Sequence, residues 1–260
     1  MFFNVSDLTF SYKGQMVLEK IGFTVNQGET TAILGPNGVG KTTLLKCLNR
    51  ILLPRKGKIL VKGKDLRTLG TRDIAKTISY VAQKSQAARV TGFDAVLMGR
   101  TPHVRRKAST LDLKKTDAVI RRLGLSDLSL KTLDCMSGGE VQKICIARAL
   151  VQETDILLMD EPTASLDLKN QTRILGLIRH IVKEHRISAV MTLHDLNAAM
   201  RYADRYIFLK EGTIYSAGKV EDITPEMVAD VYGLKVDITR HRGLPLVVPL
   251  DQDPDHEIAA

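Results

Sequence analysis

The sequence predicts an α/β fold with a mixed sheet, an antiparallel β subdomain at the N-terminus and an inserted α-helical subdomain. Two strand-like segments, residues 2–10 and 17–25, meet near Lys13-Gly14, as in an antiparallel hairpin. After them, short apolar segments alternate with helical patterns, which is typical of a largely parallel, buried sheet. Residues from about 85 to about 150 have helical spacing of apolar residues and almost no strand signal, so we expect a helical subdomain there.

The first strand of the predicted core sheet is Thr30–Leu34, which leads into a glycine-rich turn and a helix beginning near Gly40. In residues 168–183 apolar side chains recur at Ile174, Leu177, Ile178 and Ile181, which predicts a helix with one face in the core. Five later segments have the compact apolar character of buried strands. They are Ile59–Val61, Ile78–Ala82, Ile156–Met159, Ser188–Leu193 and Tyr206–Leu209.

The composition is that of a globular protein without a membrane span. The chain has 260 residues, of which 44% are hydrophobic and 26% charged. No apolar run approaches the roughly 18 residues needed to cross a bilayer. The N-terminus, MFFNVSDLTF, has no basic region followed by a long apolar stretch, so it does not match a signal peptide. We therefore expect a cytoplasmic location.

Charge and cysteine content leave several partners open. The 38 Lys and Arg against 29 Asp and Glu give a net charge of +9, which suits nucleic acid, anionic lipid or an anionic ligand. The plainest interpretation of the densest basic stretch, Arg100–Lys107, is a solvated loop, and the stretch lacks the aromatics of a single-strand binder. Cys47, Cys135 and Cys145 form no C-x-x-C pair, so we expect buried thiols rather than disulfides or a zinc site.

A phosphate-binding motif follows the Thr30–Leu34 strand. Residues 35–42 read G-P-N-G-V-G-K-T and fit G-x-x-x-x-G-K-[ST] in the strand-to-helix context that a P-loop requires. Its backbone N–H groups would cradle phosphates, Lys41 would reach the β- and γ-phosphates, and Thr42 would offer a hydroxyl to Mg²⁺. A glycine turn with no ligand is the competing interpretation. We expect ATP contacts from Gly35, Pro36, Asn37, Gly38, Val39, Gly40, Lys41, Thr42 and Thr43.

Two acids end an apolar strand further along the chain. Residues 156–161 read I-L-L-M-D-E, which places Asp160 and Glu161 at the carboxyl edge of the sheet, where open α/β sheets bind ligands. Asp160 would hold Mg²⁺, and Glu161 would orient and deprotonate the attacking water. In isolation, the pair could equally cap a turn before Pro162.

A Ser-Gly-Gly segment between these motifs carries a family resemblance. Residues 136–140 read M-S-G-G-E, and in this order and spacing the sequence resembles the ATP-binding cassette (ABC) family, whose signature is commonly L-S-G-G-Q at a helix start. Met136 and Glu140 depart from that pattern, but the core that would contact phosphate is intact. The resemblance implies a P-loop NTPase core whose signature, Ser137, Gly138, Gly139 and Glu140, acts on ATP bound to another subunit.

Other positions match the family one by one. Tyr12 resembles the aromatic that stacks on adenine, and Gln83 resembles the glutamine that senses Mg²⁺ and the permease. Ser165 and Asp167 resemble the loop that crosses between subunits, and His194 resembles the switch histidine at the γ-phosphate. Each has an ordinary structural alternative when taken alone: strand packing, a surface amide, a helix cap or a strand-end histidine.

The resemblance also implies an assembly. Catalysis would rest on Glu161, His194 and Lys41, with Thr42, Gln83 and Asp160 at Mg²⁺. Two copies would sandwich ATP beneath a permease dimer, on the cytoplasmic face of the membrane, with a substrate-binding protein as an indirect partner. The stretch from Asp94 to His103 resembles importers of iron chelates, haem and cobalamin, and residues 83–106 are the expected permease contact. Residues 1–233 would form the nucleotide-binding domain, and residues 234–260 a strand-bearing appendage and tail.

Three other functions remain as alternatives. A cassette ATPase of DNA repair or translation would suit the basic charge, but the chain has neither a long coiled-coil insertion nor a second cassette, so no nucleic acid is expected. An exporter subunit would use the same motifs in the opposite direction. A regulatory module that binds ATP without hydrolysis is disfavoured by the presence of Glu161 and His194.

Overall fold

A six-stranded mixed sheet forms the centre of the protein. The computed structural model describes residues 2–83 and 89–250, and its central sheet has the order β10-β9-β3-β8-β7-β6. Neighbouring strands are parallel except β9 and β10, which pair antiparallel. The strands are β3 (Thr30–Leu34), β6 (Ile78–Val81), β7 (Ile156–Asp160), β8 (Ser188–Thr192), β9 (Arg205–Lys210) and β10 (Thr213–Lys219).

The middle strands of this sheet are buried on both faces. Every residue of β3, β7 and β8 is buried, which explains why these segments are continuously apolar instead of alternating. The parallel register brings the carboxyl ends of β3, β7 and β8 to one edge. The P-loop and Asp160 lie at that edge, which is where open α/β sheets bind ligands.

A second, antiparallel sheet covers the first helix. Its order is β2-β1-β4-β5, with β1 (Phe3–Tyr12), β2 (Gln15–Val25), β4 (Lys56–Val61) and β5 (Lys64–Asp65). Helix α1 (Lys41–Leu48) packs between the two sheets, and its Leu44, Leu45 and Leu48 have no exposed surface. The predicted hairpin is confirmed, with Tyr12 opposite Gln15. The Ile59–Val61 strand is also present, but it pairs with β1 in this sheet rather than joining the βα alternation.

Helices and a hairpin cover the other face of the central sheet. They are α6 (Leu168–His185), α7 (Leu196–Tyr202), α8 (Pro225–Tyr232), β11 (Val236–His241) and β12 (Leu244–Pro249). The predicted apolar stripe of α6 is confirmed, because Ile174, Ile178 and Ile181 are buried, while Leu177 packs on the helical segment. The β11–β12 hairpin contributes Val236 and Val247 to the main core.

The segment between β6 and β7 is helical where it is described. It contains α3 (Gly92–Leu97), α4 (Thr110–Leu123) and α5 (Gly138–Val151), whereas α2 (Thr71–Thr77) precedes β6. Helices α3, α4 and α5 share a small core of their own, centred on Val96, Ile120 and Ile144. Residues 84–88 of the proposed permease contact and of the helical subdomain lie outside the described residues.

Two expectations about individual side chains are wrong. Arg100 is not part of a solvated loop, because it is 4% exposed and pairs with Asp112 and Glu153; Arg105, Arg106 and Lys107 are exposed as expected. Cys135 is exposed, whereas Cys47 and Cys145 are buried. The burial of Arg100 is explained by partners distant in sequence, which the local sequence does not reveal. Within residues 2–83 and 89–250, no helix has the length and apolar character needed to cross a bilayer.

Candidate nucleotide site

The P-loop backbone requires glycine at two positions. Gly35 has a φ of 145°, and a Cβ there would lie 2.4 Å from the carbonyl oxygen of Leu209 on the neighbouring strand. Gly40, the residue before α1, has a φ of 106° and would carry a Cβ 3.0 Å from Leu18. Since both backbones are in the left-handed region and closely packed, only glycine lets the loop turn from β3 into α1. The first N–H groups of α1 then face the hollow of the loop.

Lys41 closes this loop with its own side chain. Its Nζ donates to the carbonyl oxygens of Gly35 at 2.6 Å and Pro36 at 2.9 Å. Burial lowers the pKa of the Lys41 ammonium, while Glu161 and Asp160 oppose that effect. A hollow of about 150 Å³ opens at this point, with a backbone and cation suited to phosphate. It is lined by Asn37, Gly38, Gly40, Lys41, Thr42, Thr43 and Glu161.

Asp160 lies at the end of β7 in a cluster of hydroxyl groups. Its side chain is 1% exposed, and its Oδ1 accepts hydrogen bonds from Thr42 at 3.1 Å and Thr192 at 2.8 Å. The Tyr80 hydroxyl approaches Oδ2 at 3.5 Å, and burial together with Asp160 raises the pKa of that tyrosine well above its usual value. Hydroxyl and carboxylate oxygens are the donors that Mg²⁺ prefers, so Thr42 and Asp160 fit a magnesium ion that also contacts phosphate.

Glu161 is turned away from this cluster by an unusual backbone. Its φ is 48°, and its N–H donates to Thr192 Oγ1 at 2.8 Å. Its carboxylate oxygens contact two separate partners, Gln83 Nε2 at Oε2 and His194 Nε2 at Oε1. The structure therefore brings Gln83 and His194 to Glu161, beside the phosphate hollow. Gln83 does not bond to the Thr42–Asp160 pair through this amide nitrogen.

The signature residues form the N-terminus of α5. Ser137 is the N-cap, its Oγ accepts from the Glu140 N–H at 3.3 Å, and the Glu140 carboxylate accepts from the Ser137 N–H at 2.7 Å. This reciprocal capping box fixes the first turn. Ser137 and Gly138 are exposed, and neither lines the P-loop hollow. The turn thus presents an exposed helix N-terminus that is not part of the phosphate hollow of its own chain.

The remaining predicted residues are Ser165, Asp167 and Tyr12, and none of them lines the phosphate hollow. Ser165 borders the signature, because a Cβ on Gly139 would lie 3.2 Å from the Ser165 carbonyl oxygen. Asp167 caps α6 by accepting from the Asn170 N–H at 2.8 Å. The Tyr12 ring is 45% exposed and packs edge-on against Phe10, so one of its surfaces is available for stacking.

Three residues at the site were missed by the sequence reasoning. Thr192 bonds both to Asp160 and to the Glu161 backbone, and its place at the end of β8, two residues before His194, was an available signal. Tyr80 precedes Gln83 by three residues and is near Asp160. Tyr232, at the end of α8, accepts a hydrogen bond from the Gly35 N–H at 2.9 Å. No local pattern distinguishes Tyr232 from an ordinary helix tyrosine.

Comparison with known families and proteins gives one consistent result. Residues 18–164 match the model of the ABC transporter family. The chain is 46% identical to an ABC transporter ATP-binding protein of Methanocaldococcus jannaschii, over 96% of this chain and 98% of that protein. It is 35% identical to the ferric enterobactin transport ATP-binding protein of Escherichia coli, over 94% and 92% of the two chains.

Solved structures give the same result. A metal-chelate type ABC transporter in an inward-facing conformation superposes with a TM-score of 0.83 at 29% identity, covering 96% of this chain and 97% of that one. A dimeric ATP-binding cassette in a post-hydrolysis state with bound ADP and Pi superposes with a TM-score of 0.77 at 25% identity. That alignment covers 85% of this chain and 100% of the cassette. The predicted P-loop NTPase fold, with its mixed sheet and antiparallel subdomain, is confirmed.

Proposed function

The chain belongs to the ABC transporter family as an ATP-binding subunit that hydrolyses ATP. We propose that hydrolysis takes place at a composite site, formed by the P-loop, Asp160 and Glu161 of one copy together with the signature turn of α5 from another. The observation that carries this proposal is the convergence of Lys41, Thr42 and Glu161 on one small hollow, with Asp160 hydrogen-bonded to Thr42. These groups supply a phosphate cradle, a metal pair and a water-orienting carboxylate, which are the parts that phosphoryl transfer to water requires.

Each residue has a role that its contacts support. The P-loop N–H groups and Lys41 bind the β- and γ-phosphates, and the exposed ring of Tyr12 stacks on adenine. Thr42 and Asp160 would hold Mg²⁺, and Gln83, bonded to Glu161, would sense it. Glu161 accepts the proton of the attacking water, and its positive φ and bond to Thr192 aim the carboxylate at the hollow. His194 orients Glu161 before turnover and contacts the γ-phosphate when ATP is bound. Bound Mg²⁺ would neutralise charge on the phosphates.

The active unit is proposed to be a homodimer. Members of this family work as dimers with membrane permeases, and the similar cassette with ADP and Pi is dimeric. The exposed first turn of α5, with Ser137, Gly138 and Gly139, would contact ATP held by the partner. Ser165 borders that turn, and the loop from Ser165 to Asp167 would cross the interface. Because each nucleotide would lie between two helix N-termini, its hydrolysis would release the clamp.

The transported substrate is proposed to be an iron chelate, haem or cobalamin, imported through a separate permease dimer. The stretch Asp94–His103 and the similarity to a ferric enterobactin system and a metal-chelate transporter support this class. A substrate-binding protein would deliver the ligand, and this chain would lie on the cytoplasmic face of the membrane. Residues 83–106 are the proposed permease contact, of which residues 83 and 89–106 are described.

Co-purification tests the transport assignment directly. The tagged chain would be isolated from solubilised membranes of its source, the accompanying polytopic protein identified, and ATPase activity of the complex measured with ferric siderophores, haem and cobalamin. We expect one permease and stimulation by one of these ligands. Recovery of ribosomes or DNA in place of a permease would contradict the proposal and favour a nucleic-acid function.

Glu161→Gln tests the catalytic assignment. The amide keeps the shape of the side chain but cannot accept the proton of water, so we expect turnover to fall by about 10²- to 10⁴-fold while ATP binding persists. The variant should accumulate as an ATP-bound dimer, measured by gel filtration with and without ATP. Glu19→Gln, at an exposed position on β2, is the matched control and should behave like the parent. Normal turnover in Glu161→Gln would remove Glu161 from the base role.

A further inference from the structure

The signature of this chain carries a negative charge beside its phosphate-facing turn. Glu140 occupies the position where the common form of the signature has a neutral glutamine. Its Oε2 accepts from the Ser137 N–H at 2.7 Å, so the carboxylate lies directly against the residue that would meet a phosphate. A carboxylate close to an incoming ATP phosphate repels it, and the repulsion is strongest where water is excluded.

Protonation does not remove this charge near neutral pH. The bond from the Ser137 N–H, followed by the bond from Lys131, lowers the pKa of the Glu140 carboxyl below its usual range. Glu140 is therefore ionised when ATP would bind. A cation has to offset it if the first turn of α5 is to stay attractive to phosphate.

Lys131 supplies that cation. Its Nζ lies 3.1 Å from Glu140 Oε2, the same oxygen that caps Ser137, and the two side chains are 38% and 30% exposed. We propose that Lys131 is a positioning residue of the composite site: it neutralises Glu140 and holds the capping box so that Ser137-Gly138-Gly139 can receive the γ-phosphate of ATP bound by the partner. This inference rests on the proposed role of the signature across the dimer.

The backbone that presents Lys131 is fixed by α3. The Lys131 carbonyl oxygen accepts from the Gly92 N–H at 2.9 Å, and Thr91 and Thr132 form an isolated antiparallel bridge. Gly92 approaches so closely that a Cβ there would lie 2.3 Å from the Leu128 carbonyl oxygen. Because α3 lies within the proposed permease contact, Lys131 also connects that contact to the signature. One hydrogen bond runs from the Gly92 N–H to the Lys131 carbonyl oxygen, and the other from Lys131 Nζ to Glu140.

The test measures ATP-driven dimerisation in the full-length Glu161→Gln background, where hydrolysis does not deplete the dimer. Lys131→Ala should raise the ATP-dependent dimer dissociation constant, measured by analytical ultracentrifugation. A partly exposed charge pair predicts roughly a threefold effect per site, hence about tenfold for a symmetric dimer with two sites. Adding Glu140→Gln to Lys131→Ala should restore dimerisation, since no charge then needs compensation. Lys131→Arg should retain it.

Two controls separate this role from general stability. Lys62→Ala removes a similarly exposed lysine that pairs with Asp155 at 2.7 Å, remote in sequence from the signature, and should not change dimerisation. ATP affinity of the monomers, followed with a fluorescent ATP analogue, should be equal in all variants because the P-loop is untouched.

The outcomes distinguish the inference from the function on which it rests. If the Glu161→Gln parent forms no ATP-dependent dimer, the composite site itself is wrong. If the parent dimerises and Lys131→Ala does so equally well, Lys131 has no positioning role. If Lys131→Ala is impaired but Glu140→Gln fails to rescue it, charge compensation is the wrong explanation.

Discussion

At the scale of single residues, two adjacent acids acquire different tasks from their backbone and neighbours. Asp160 is the last residue of β7 and points into a buried hydroxyl cluster. Glu161 follows with a left-handed backbone, which directs its carboxylate to Gln83 and His194. A non-glycine residue in this region is strained by about 1–3 kcal/mol, and such strain persists where surrounding contacts enforce it. Thr192 is the contact common to both acids.

Replacing Thr192 with valine should therefore remove a support that Asp160 and Glu161 share. Thr192→Val keeps the side-chain shape but removes the hydroxyl bonded to Asp160 Oδ1 and to the Glu161 N–H. Loss of such a supporting partner typically reduces activity about 10- to 100-fold, and we expect a stability loss of about 1–3 kcal/mol. Steady-state ATPase assays and urea unfolding measure the two effects.

Thr31→Val is the matched control for that substitution. Thr31 lies on the neighbouring strand β3, is 1% exposed, and its hydroxyl has no hydrogen-bond partner within the described part of the chain. Removing the Thr31 hydroxyl should leave ATPase activity unchanged and the free energy of unfolding equal or higher. Equal kinetics in Thr192→Val and Thr31→Val would show that the Thr192 hydroxyl does not position the acids.

At the scale of elements, the helices of the helical segment are joined to one another by close backbone packing and by an ion network around the buried Arg100. Gly99, just after α3, packs against the end of α5. Arg100 then bonds to Asp112 at 2.9 Å, to the Val151 carbonyl oxygen at 2.8 Å and to Glu153 at 2.9 Å. These contacts join α3, α4 and the C-terminal end of α5, which carries the signature at its other end. The helical segment should therefore move as one body.

Gly99→Ala tests the backbone packing. An added Cβ would lie 2.1 Å from the Arg148 carbonyl oxygen and 2.7 Å from Val151, so α3 and α5 would have to separate, at a cost of about 1–3 kcal/mol or more. Gly176→Ala in α6, where no atom lies within 4 Å of the new methyl, should instead stabilise by about 0.5–1 kcal/mol. Urea unfolding of both variants measures the difference, and equal stabilities would contradict the packing argument.

Asp112→Asn tests the ion network through its pH dependence. Hydrogen bonds from Ser109, followed by Arg100, hold the pKa of the Asp112 carboxyl far below its usual range. A carboxyl with a depressed folded-state pKa stabilises the fold above its unfolded pKa, and that stability is lost as the pH falls below about 4. Asp112→Asn should cost about 2 kcal/mol at pH 7.

The difference in unfolding free energy between the parent and Asp112→Asn should then shrink as the pH falls below about 4. Asp117→Asn is the control on the same helix, because Asp117 forms only an exposed pair with Arg121 and should change stability by less than about 1 kcal/mol. A difference between the parent and Asp112→Asn that stays constant from pH 7 to pH 3 would mean that ionisation of Asp112 is not what stabilises this network.

At the scale of the whole molecule, what the sequence predicts correctly is local and what it misses is distant. The P-loop, the acid-tipped strand and the α6 stripe were predictable because each is a contiguous pattern of residue types with one physical meaning. The burial of Arg100 and the bonds of Thr192 depend on chain segments tens of residues away. The reciprocal cap at Ser137 and Glu140 could be predicted from the capping-box spacing. The contact between Lys131 and Glu140 could not.

A hydrogen bond between residues 197 positions apart in the chain joins α8 to the P-loop. Tyr232, at the last position of α8, accepts a hydrogen bond from the Gly35 N–H at 2.9 Å. Burial raises the pKa of Tyr232 to about 12, so its hydroxyl remains neutral. Its ring packs edge-on against Phe208 of β9, the strand next to β3. The C-terminal helix therefore helps to set the first turn of the phosphate cradle.

Tyr232→Phe should expose this dependence. The substitution leaves the ring in place but deprives the Gly35 N–H of its partner, which should cost about 1–2 kcal/mol of stability. Because the loop then loses an anchor at its first residue, ATP affinity should fall severalfold, measured by titration with a fluorescent analogue. Tyr215→Phe, which removes an exposed hydroxyl bonded to Asp230, should leave affinity unchanged. If Tyr232→Phe is destabilised yet binds ATP as tightly as the parent, α8 supports the fold without shaping the cradle.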